Sequence, residues 1–424
     1  MRVPLTNLIE RLRSRQWVIP SILSLGAAFL SVVAVRADSW FAQVIPELPW
    51  FVFSGTTDAA RQLLGILSAS LVSLTTISLS VTMIVLTLAS NQFGPRVLRI
   101  FLRDHFNQLV IGTFVAALLF CLLLLGQLPA EGSAPAPRIA MTLAVLFSVA
   151  CLFALLGFVQ HTARSIQTPC VIKETSTQLD ACIRQIYPSS VGQDEPTTNE
   201  VEEPPFEQND ATVHATSCGY LQAIDLDSAM SWAMTHDTTL KIIPKPGDFI
   251  VTHSPLISPR DQPDDLDDFR HTAESWFLLG EERTDEQDSR YGFQQLAEIA
   301  VRALSPGTND PFTAVNAIDH ITCALVTLAQ KKSVSGFRHD EEGALRIISP
   351  RETFVEIATE TFAPLCDYGT DHPVVLRALS RLLSSVETAT DREEDKAWVK
   401  RSREHLTRLV EQLPASISRD LLTP

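Results

Sequence analysis

The stretch Leu63 to Ser90, LLGILSASLVSLTTISLSVTMIVLTLAS, runs for 28 residues without one charged side chain. A hydrocarbon core about 30 Å thick needs roughly 20 such residues in a helix, the conformation that satisfies its own amides where water is absent. The stretch therefore reads as a membrane span. Three further runs share its character: Trp17 to Val35, Leu109 to Leu128 and Ile139 to Val159. Together they predict a membrane α-helical domain of four transmembrane helices over residues 1–165, with the lipid bilayer as its partner.

Arginine placement sets the orientation. Arg2, Arg11, Arg13 and Arg15 precede the first run, Arg96, Arg99 and Arg103 separate the second from the third, and Arg164 and Lys173 follow the fourth. Cations stay on the cytoplasmic side, so the pattern predicts a multi-pass inner-membrane protein with both termini cytoplasmic. The segment Arg36 to Arg61 then faces outward, with Trp40, Phe41, Trp50, Phe51 and Phe53 as an interfacial aromatic belt. In NQFGPRVLRIFLRD, residues 91–104, Arg96, Arg99 and Arg103 share one helical face opposite Val97, Leu98 and Phe101, as in a helix lying at the headgroups. An alternative makes the first run a signal peptide cleaved before Asp38; its length favours an uncleaved span.

The second span carries hydroxyls at helical spacing. Ser73, Thr76, Ser80 and Thr87 fall on one face, and Leu67, Leu71, Leu74, Val81 and Leu88 mark a more apolar sector. Small hydroxylated residues let helices approach closely, or they line a wet pathway completed by other copies of the chain. Both readings stand at this point. No charged side chain lies within the span to mark an ion or proton relay.

Charge divides the chain. Residues 1–170 carry net +5 and residues 171–424 net −20, so the second part suits a soluble domain that repels phosphate backbones, and nucleic acid is excluded as a partner. Between them, a helix from Ile166 to Tyr187 leads into SSVGQDEPTTNEVEEPPFEQNDA, residues 189–211, an acidic, proline-bearing linker, so residues 166–211 read as helix plus linker.

Residues 212–284 alternate strand-like segments (Thr212 to Ile224, Leu240 to Ile243, Phe249 to His253, Trp276 to Leu279) with helical ones (Leu226 to Thr235, Leu266 to Ser275), which predicts a small cytoplasmic α+β domain of split βαβ type. Residues 285–424 predict a C-terminal helical bundle. Its first helix carries Phe293, Leu296, Ala297, Ala300, Val301 and Leu304 on one face behind an Asp288 or Ser289 cap, and Leu376, Leu379, Leu383 and Val386 stripe a later one.

A sharp corner interrupts the bundle at ALSPGTNDPFTA, residues 303–314. Pro306 disfavours helix at Ser305, Gly307 can take a positive φ, and Asp310 before Pro311 starts the next helix. Ser305, Thr308 and Asn309 are not demanded by a change of direction. With Arg302, Asp310 and the helix N-terminus they form a candidate site for a small ligand, an anion first, against the plainer reading of an architectural turn. Arg283, Thr284, Gln287 and Asp288, in the charged run before the preceding helix, are the other candidate ligand residues.

Catalytic constellations are scarce. The seven cysteines include no Cys-x-x-Cys pair, His236 and His253 lack a third ligand, and no P-loop, zincin or dinucleotide fingerprint occurs. No metal, cofactor or catalytic residue is assigned.

The stretch GEERTDEQDSRYGFQQLAEIAVRALSPGTNDPFTA, residues 280–314, resembles the signature of the domain of unknown function 2254 family of bacterial predicted membrane proteins. The resemblance extends to the four spans, to CGYLQAID at residues 218–225 and to PGDFIV at residues 246–251. It implies an integral membrane protein with a large cytoplasmic portion and no activity to carry over. The leading functional expectation is an oligomeric channel or transport-related protein, a homo-oligomer with a cytoplasmic regulatory domain. The alternative is a membrane-anchored sensor or scaffold that binds a small anionic ligand or a protein.

Overall fold

A computed structural model describes residues 17–44, 52–93, 104–128, 136–187, 211–331 and 336–411. The chain divides into two compact units, Met1–Cys170 and Val171–Pro424. Arg96, Arg99, Arg103, Trp50, Phe51 and nearly all of the acidic linker lie outside the described residues.

The first unit is built of α1 (Val18–Val44), α2 (Thr57–Phe93), α3 (His105–Gln127) and α4 (Arg138–Ser165). α1 runs unbroken past Asp38, so the sequence weighed as a cleavage site lies inside a helix. α3 packs against all three others, and Leu64, Leu71, Phe114, Phe120, Leu124, Met141 and Phe158 are fully buried between them. The opposite faces are apolar as well: Leu25, Phe29, Ile66, Met83, Ile84 and Phe153 are exposed. Such a surface is stable against hydrocarbon and unstable against water. On α2 the exposed apolar side chains run from Ile66 to Leu88, about 33 Å of helix, close to the thickness of a bilayer core.

Two polar contacts tie the ends of this unit. Asp38 of α1 accepts from the Ile139 and Ala140 amides at the start of α4. Asp104 caps α3 through the Phe106 amide and meets His161 Nε2 of α4 at 2.7 Å.

The second unit takes in α5 (Thr168–Ile186) from Val171 onward, then β1 (Val213–His214), β2 (Gly219–Ile224), α6 (Leu226–Thr235), β3 (Leu240–Ile242), β4 (Phe249–Ile250), β5 (Pro255–Pro259), α7 (Leu266–Glu274) and β6 (Phe277–Gly280). Next come α8 (Ser289–Ala303), α9 (Pro311–Gln330), the hairpin β7 (Phe337–His339) and β8 (Leu345–Ile348), and α10 (Phe354–Gly369), α11 (Pro373–Ala389) and α12 (Glu393–Glu411). The strands form two sheets, β1-β5-β3-β8-β7 and β4-β2-β6, in place of one split βαβ sheet. β8 lies parallel to β3, Leu240 opposite Ile347, so the larger sheet draws a strand from beyond α9. Leu221, Leu240, Ile257, Phe269, Trp276 and Ile347 are buried in the sheet core.

α8 packs against α9 and α10, and α11 against α9 and α12. Arg381 meets Asp319, and Arg392 donates to the Ala329 carbonyl, so α9 and α11 run in the same direction. Five described helices are long and apolar enough to cross a bilayer: the four of the first unit and α9.

Candidate functional site

A dense polar cluster among the described residues of the second unit surrounds the first turn of α8. Asp288 caps that helix by accepting from the Tyr291 amide at 3.1 Å, and its side chain is 1% exposed. Arg283 grips the same carboxylate through Nε at 2.8 Å and Nη2 at 2.6 Å, donates to Gln294 Oε1, and lies over the Tyr291 ring.

The turn between β3 and β4 closes over this pair. Gly247 takes φ +89°, and a Cβ there would fall 2.1 Å from Asp288 Oδ2, so only glycine fits. The Gly247 amide donates to the Leu221 carbonyl at 2.7 Å, and Asp248 accepts from the Lys245 amide.

Arg290 sits on the other flank of the cap. It donates to Asp248 Oδ1 at 3.1 Å and to the Pro246 carbonyl, and its Nε lies 2.6 Å from Glu352 Oε1, an ion pair whose N–H is not aligned for a hydrogen bond. Ser289 donates to the other Glu352 oxygen at 3.1 Å. Gln287 acts as a strand edge would, accepting from the Ile224 amide and donating to the Ile224 carbonyl, and Gln222 donates to the Glu282 carbonyl. Tyr187, just past α5, hydrogen-bonds with Ser289, and Leu179 of α5 packs on Gly292 so closely that a Cβ there would meet its Cδ1 at 2.9 Å.

Desolvation dominates the electrostatics. Burial raises the Asp288 pKa despite Arg283 beside it. Burial likewise pushes Glu352 up to about 7, opposed by Arg290 and reinforced by the negative charge of Asp288. For Arg290, burial lowers the pKa, but Glu352, Asp248 and Asp288 outweigh it and the net shift is upward. Burial also pushes Cys182 up to about 12.

The candidate ligand residues fall at two places. Arg283, Thr284, Gln287 and Asp288 belong to this junction. Arg302, Ser305, Thr308, Asn309 and Asp310 lie at the far end of α8, a helix of 15 residues and so about 22 Å long.

At the corner, Ser305 Oγ donates to the Arg302 carbonyl and to Thr308 Oγ1, Arg302 pairs with Glu298, and Asp310 accepts from the amide and hydroxyl of Thr313. The left-handed residue is Asn309, φ 47°, and not the expected Gly307. The amides of Thr308 and Asn309 both find the Ser305 carbonyl, and that of Asp310 reaches Ala303. Turn closure thus engages each of the five residues.

On α2, Ser73, Thr76, Ser80 and Thr87 are all exposed, and each hydroxyl donates to the carbonyl four residues earlier.

Arg290, Asp248, Glu352 and Tyr187 are members of the junction that sequence reasoning does not single out; Ser289, weighed there as a cap, instead donates to Glu352. In the sequence Arg290 reads as part of a solvated charge run. The available signal is the grouping of motifs: CGYLQAID supplies Gln222 and Ile224, PGDFIV supplies Gly247 and Asp248, and residues 280–314 supply the rest. These three separated stretches meet here. Among the described residues no group of three or more His, Cys, Asp or Glu side chains is arranged to hold a metal ion. Chemically the junction is a buried charge network that joins α5, α8, the sheet turn and the entry to α10.

A family model described as "Predicted membrane protein (DUF2254)" matches residues 13–385. The uncharacterized proteins MT1328 and Rv1290c of Mycobacterium tuberculosis and Mb1321c of Mycobacterium bovis are each 31% identical to the chain over 396 residues, covering 89% of it and 73% of each relative. No solved structure matches it.

Proposed function

The chain belongs to the DUF2254 family of predicted membrane proteins, and on that premise we propose that it is a homo-oligomeric inner-membrane protein of channel or transport type, regulated by the unit that follows Val171. The outward face of α2 carries this reading. Its hydroxyl stripe points away from the chain's own bundle while the same helix shows lipid-length apolar surface. Back-bonding to the helix leaves each hydroxyl oxygen able to accept from water or from a neighbouring copy. A second copy is the occupant proposed for that face, with α2 nearest the shared axis.

Topology in this reading has four spans and cytoplasmic termini. Arg164 and Lys173 after α4 support it. α9 is assigned to the soluble core, because Ala314, Ala317, Ile318, Ile321, Ala324 and Leu325 are buried within the second unit and Asp319 pairs with Arg381.

Reconstitution in liposomes with measurement of ion flux tests the channel. Flux that Ser80→Leu or Thr87→Leu abolishes supports it; no flux under varied voltage, tension and ion composition overturns it.

A sensor of small anions is favoured by one other feature. A cleft of about 720 Å³ between α11 and α12 is lined by Lys396, Lys400, Arg403 and Arg408, with Glu387 and Glu404, in a domain otherwise strongly acidic. Thermal stabilisation by inorganic pyrophosphate, lost in Lys400→Ala/Arg408→Ala, is the result this second reading expects.

A further inference from the structure

Residues 396–408, KAWVKRSREHLTR, hold five Lys or Arg and one acidic residue, in a chain whose part after residue 170 carries net −20. All five cations are exposed on α12. The opposite side of that helix is fixed. Trp398 is 3% exposed, its ring lies 5.7 Å from those of both Phe354 and Phe362, and its Nε1 donates to Thr359 Oγ1 at 3.0 Å. The cationic face is therefore held in one orientation, which spares a ligand the cost of ordering it.

Lys396, Lys400, Arg403 and Thr407 recur at helical spacing and form one stripe along the cleft between α11 and α12. Its members are not equally committed. Arg403 donates to Glu387 Oε2 of α11 at 2.7 Å and to Ser384 Oγ at 3.4 Å, and Lys396 pairs with Glu393 at 3.3 Å. Among the described residues, Lys400 and Arg408 have neither a hydrogen bond nor an ion pair. The two stand about 12 Å apart along the helix axis. A single small ion meets both only if their side chains are drawn together, whereas linked phosphates reach them where they stand.

The lining narrows the chemistry further. It has no aromatic ring and no large apolar side chain, so nothing there stacks on a nucleobase. Its four cations against two carboxylates call for a multiply charged anion. Phosphate oxygens suit both cation types, Arg through its fork and Lys as a point charge.

We infer that the α11–α12 cleft binds a soluble chain of linked phosphates, Lys400 and Arg408 engaging it first and Arg403 leaving Glu387 to join them. Both side chains of the Arg403–Glu387 pair are nearly half exposed, so the pair is cheap to give up. Its loss unpins α12 from α11 at that point. The inference rests on the anion-sensing reading and names its ligand.

Calorimetric titration of the full-length protein in phosphatidylcholine nanodiscs, with tripolyphosphate and with orthophosphate at one ionic strength, tests this. Tripolyphosphate is expected to bind roughly tenfold or more tightly than orthophosphate, because its linked phosphates engage both cations at once. Lys400→Ala/Arg408→Ala is expected to lose that advantage while the ligand-free melting temperature stays the same, since both positions are exposed. Glu387→Gln is expected to bind tripolyphosphate severalfold more tightly, Arg403 then having no carboxylate to leave.

Equal affinity for the two anions overturns the inference, and so does undiminished affinity in the double variant. Unchanged or weaker binding by Glu387→Gln overturns the part given to Arg403. If tripolyphosphate binding vanishes once about a third of the lipid is anionic phosphatidylglycerol, headgroups fill the cleft and the soluble ligand is overturned. Equal stabilisation by both anions, lost in the double variant, leaves the anion sensor standing without its linked-phosphate ligand. Tripolyphosphate binding that alters hydrogen exchange nowhere beyond the cleft overturns the sensor and leaves the site.

Discussion

Asp38 caps a helix to which it does not belong: its carboxylate accepts from the Ile139 amide at 2.9 and 3.0 Å, 101 residues further along the chain. Ala140 donates to the same group at 3.1 Å, so one side chain near the end of α1 satisfies two orphan amides of α4. Pro137, the residue in the cap position, has no side-chain oxygen to do so. Asp38→Ala is therefore expected to cost about 1–2 kcal/mol, the usual range for a lost N-cap, read as a lower unfolding temperature in detergent. Asp38→Asn keeps one acceptor oxygen and should lose less. Unchanged melting of the alanine variant would count against the cap.

Gly247 and Gly307 make a contrasting pair. Gly247 is left-handed with Asp288 across from it, whereas Gly307 has no positive φ, and a Cβ added to it would meet nothing within 4 Å. Gly247→Ala should destabilise by more than about 2 kcal/mol, from backbone strain and from displacement of the buried carboxylate. Gly307→Ala should be neutral within about 0.5 kcal/mol. Chemical denaturation of the two variants, side by side, checks both.

Removal of Arg290 leaves Glu352 and Asp248 without their guanidinium. Breaking a buried pair typically costs about 3–5 kcal/mol because the remaining charge is stranded. Glu352 escapes by taking a proton, so the cost of Arg290→Met should be largest above pH 7, where the carboxylate is ionised, and smaller below it. Denaturation at two pH values measures this; a penalty that grows on acidification contradicts it.

At the corner, Asn309→Gly should be neutral or slightly stabilising, and Asn309→Ala should cost about 1 kcal/mol for the left-handed backbone. Asp310 is held below its ordinary pKa by the Thr313 hydroxyl and amide. Its capping contribution is present at neutral pH and disappears only as pH falls through that lowered value. Melting curves across the acid range should therefore converge for wild type and Asp310→Ala at the acid end.

The four long apolar helices of the first unit and the α8–α9 corner are legible in the sequence because their signals are local: a charge-free run longer than a bilayer is thick, and Asp-Pro at a helix start. The β7–β8 hairpin is not. Strands of three or four residues carry no periodicity, although the Asp340 turn, with Gly343 at φ +84°, is a hairpin signal in the midst of a stretch that reads as helical. The junction is half legible. Asp288 announces itself as a cap, but its partners come from positions 247, 248 and 352, and contacts set by tertiary packing leave no spacing to read. Arg290 shows the same limit: a cation in an acidic run looks solvated until the fold places carboxylates around it.

The α2 stripe gives the sharpest separation of packing from assembly. Ser80 and Thr87 donate within their own helix, so Ser80→Ala and Thr87→Val remove a bond the helix does not need and should change unfolding by no more than about 0.6 kcal/mol each. Ser80→Leu and Thr87→Leu leave the buried face of α2 untouched, since both positions are exposed within the chain. What they change is the surface offered to a neighbour, where a bulky side chain holds two helices apart. The leucine variants should therefore keep the wild-type melting temperature of the chain and shift its mass distribution in detergent toward the monomer. If both retain the wild-type assembly, the α2 face is a lipid surface, and the copies, if they associate, meet elsewhere.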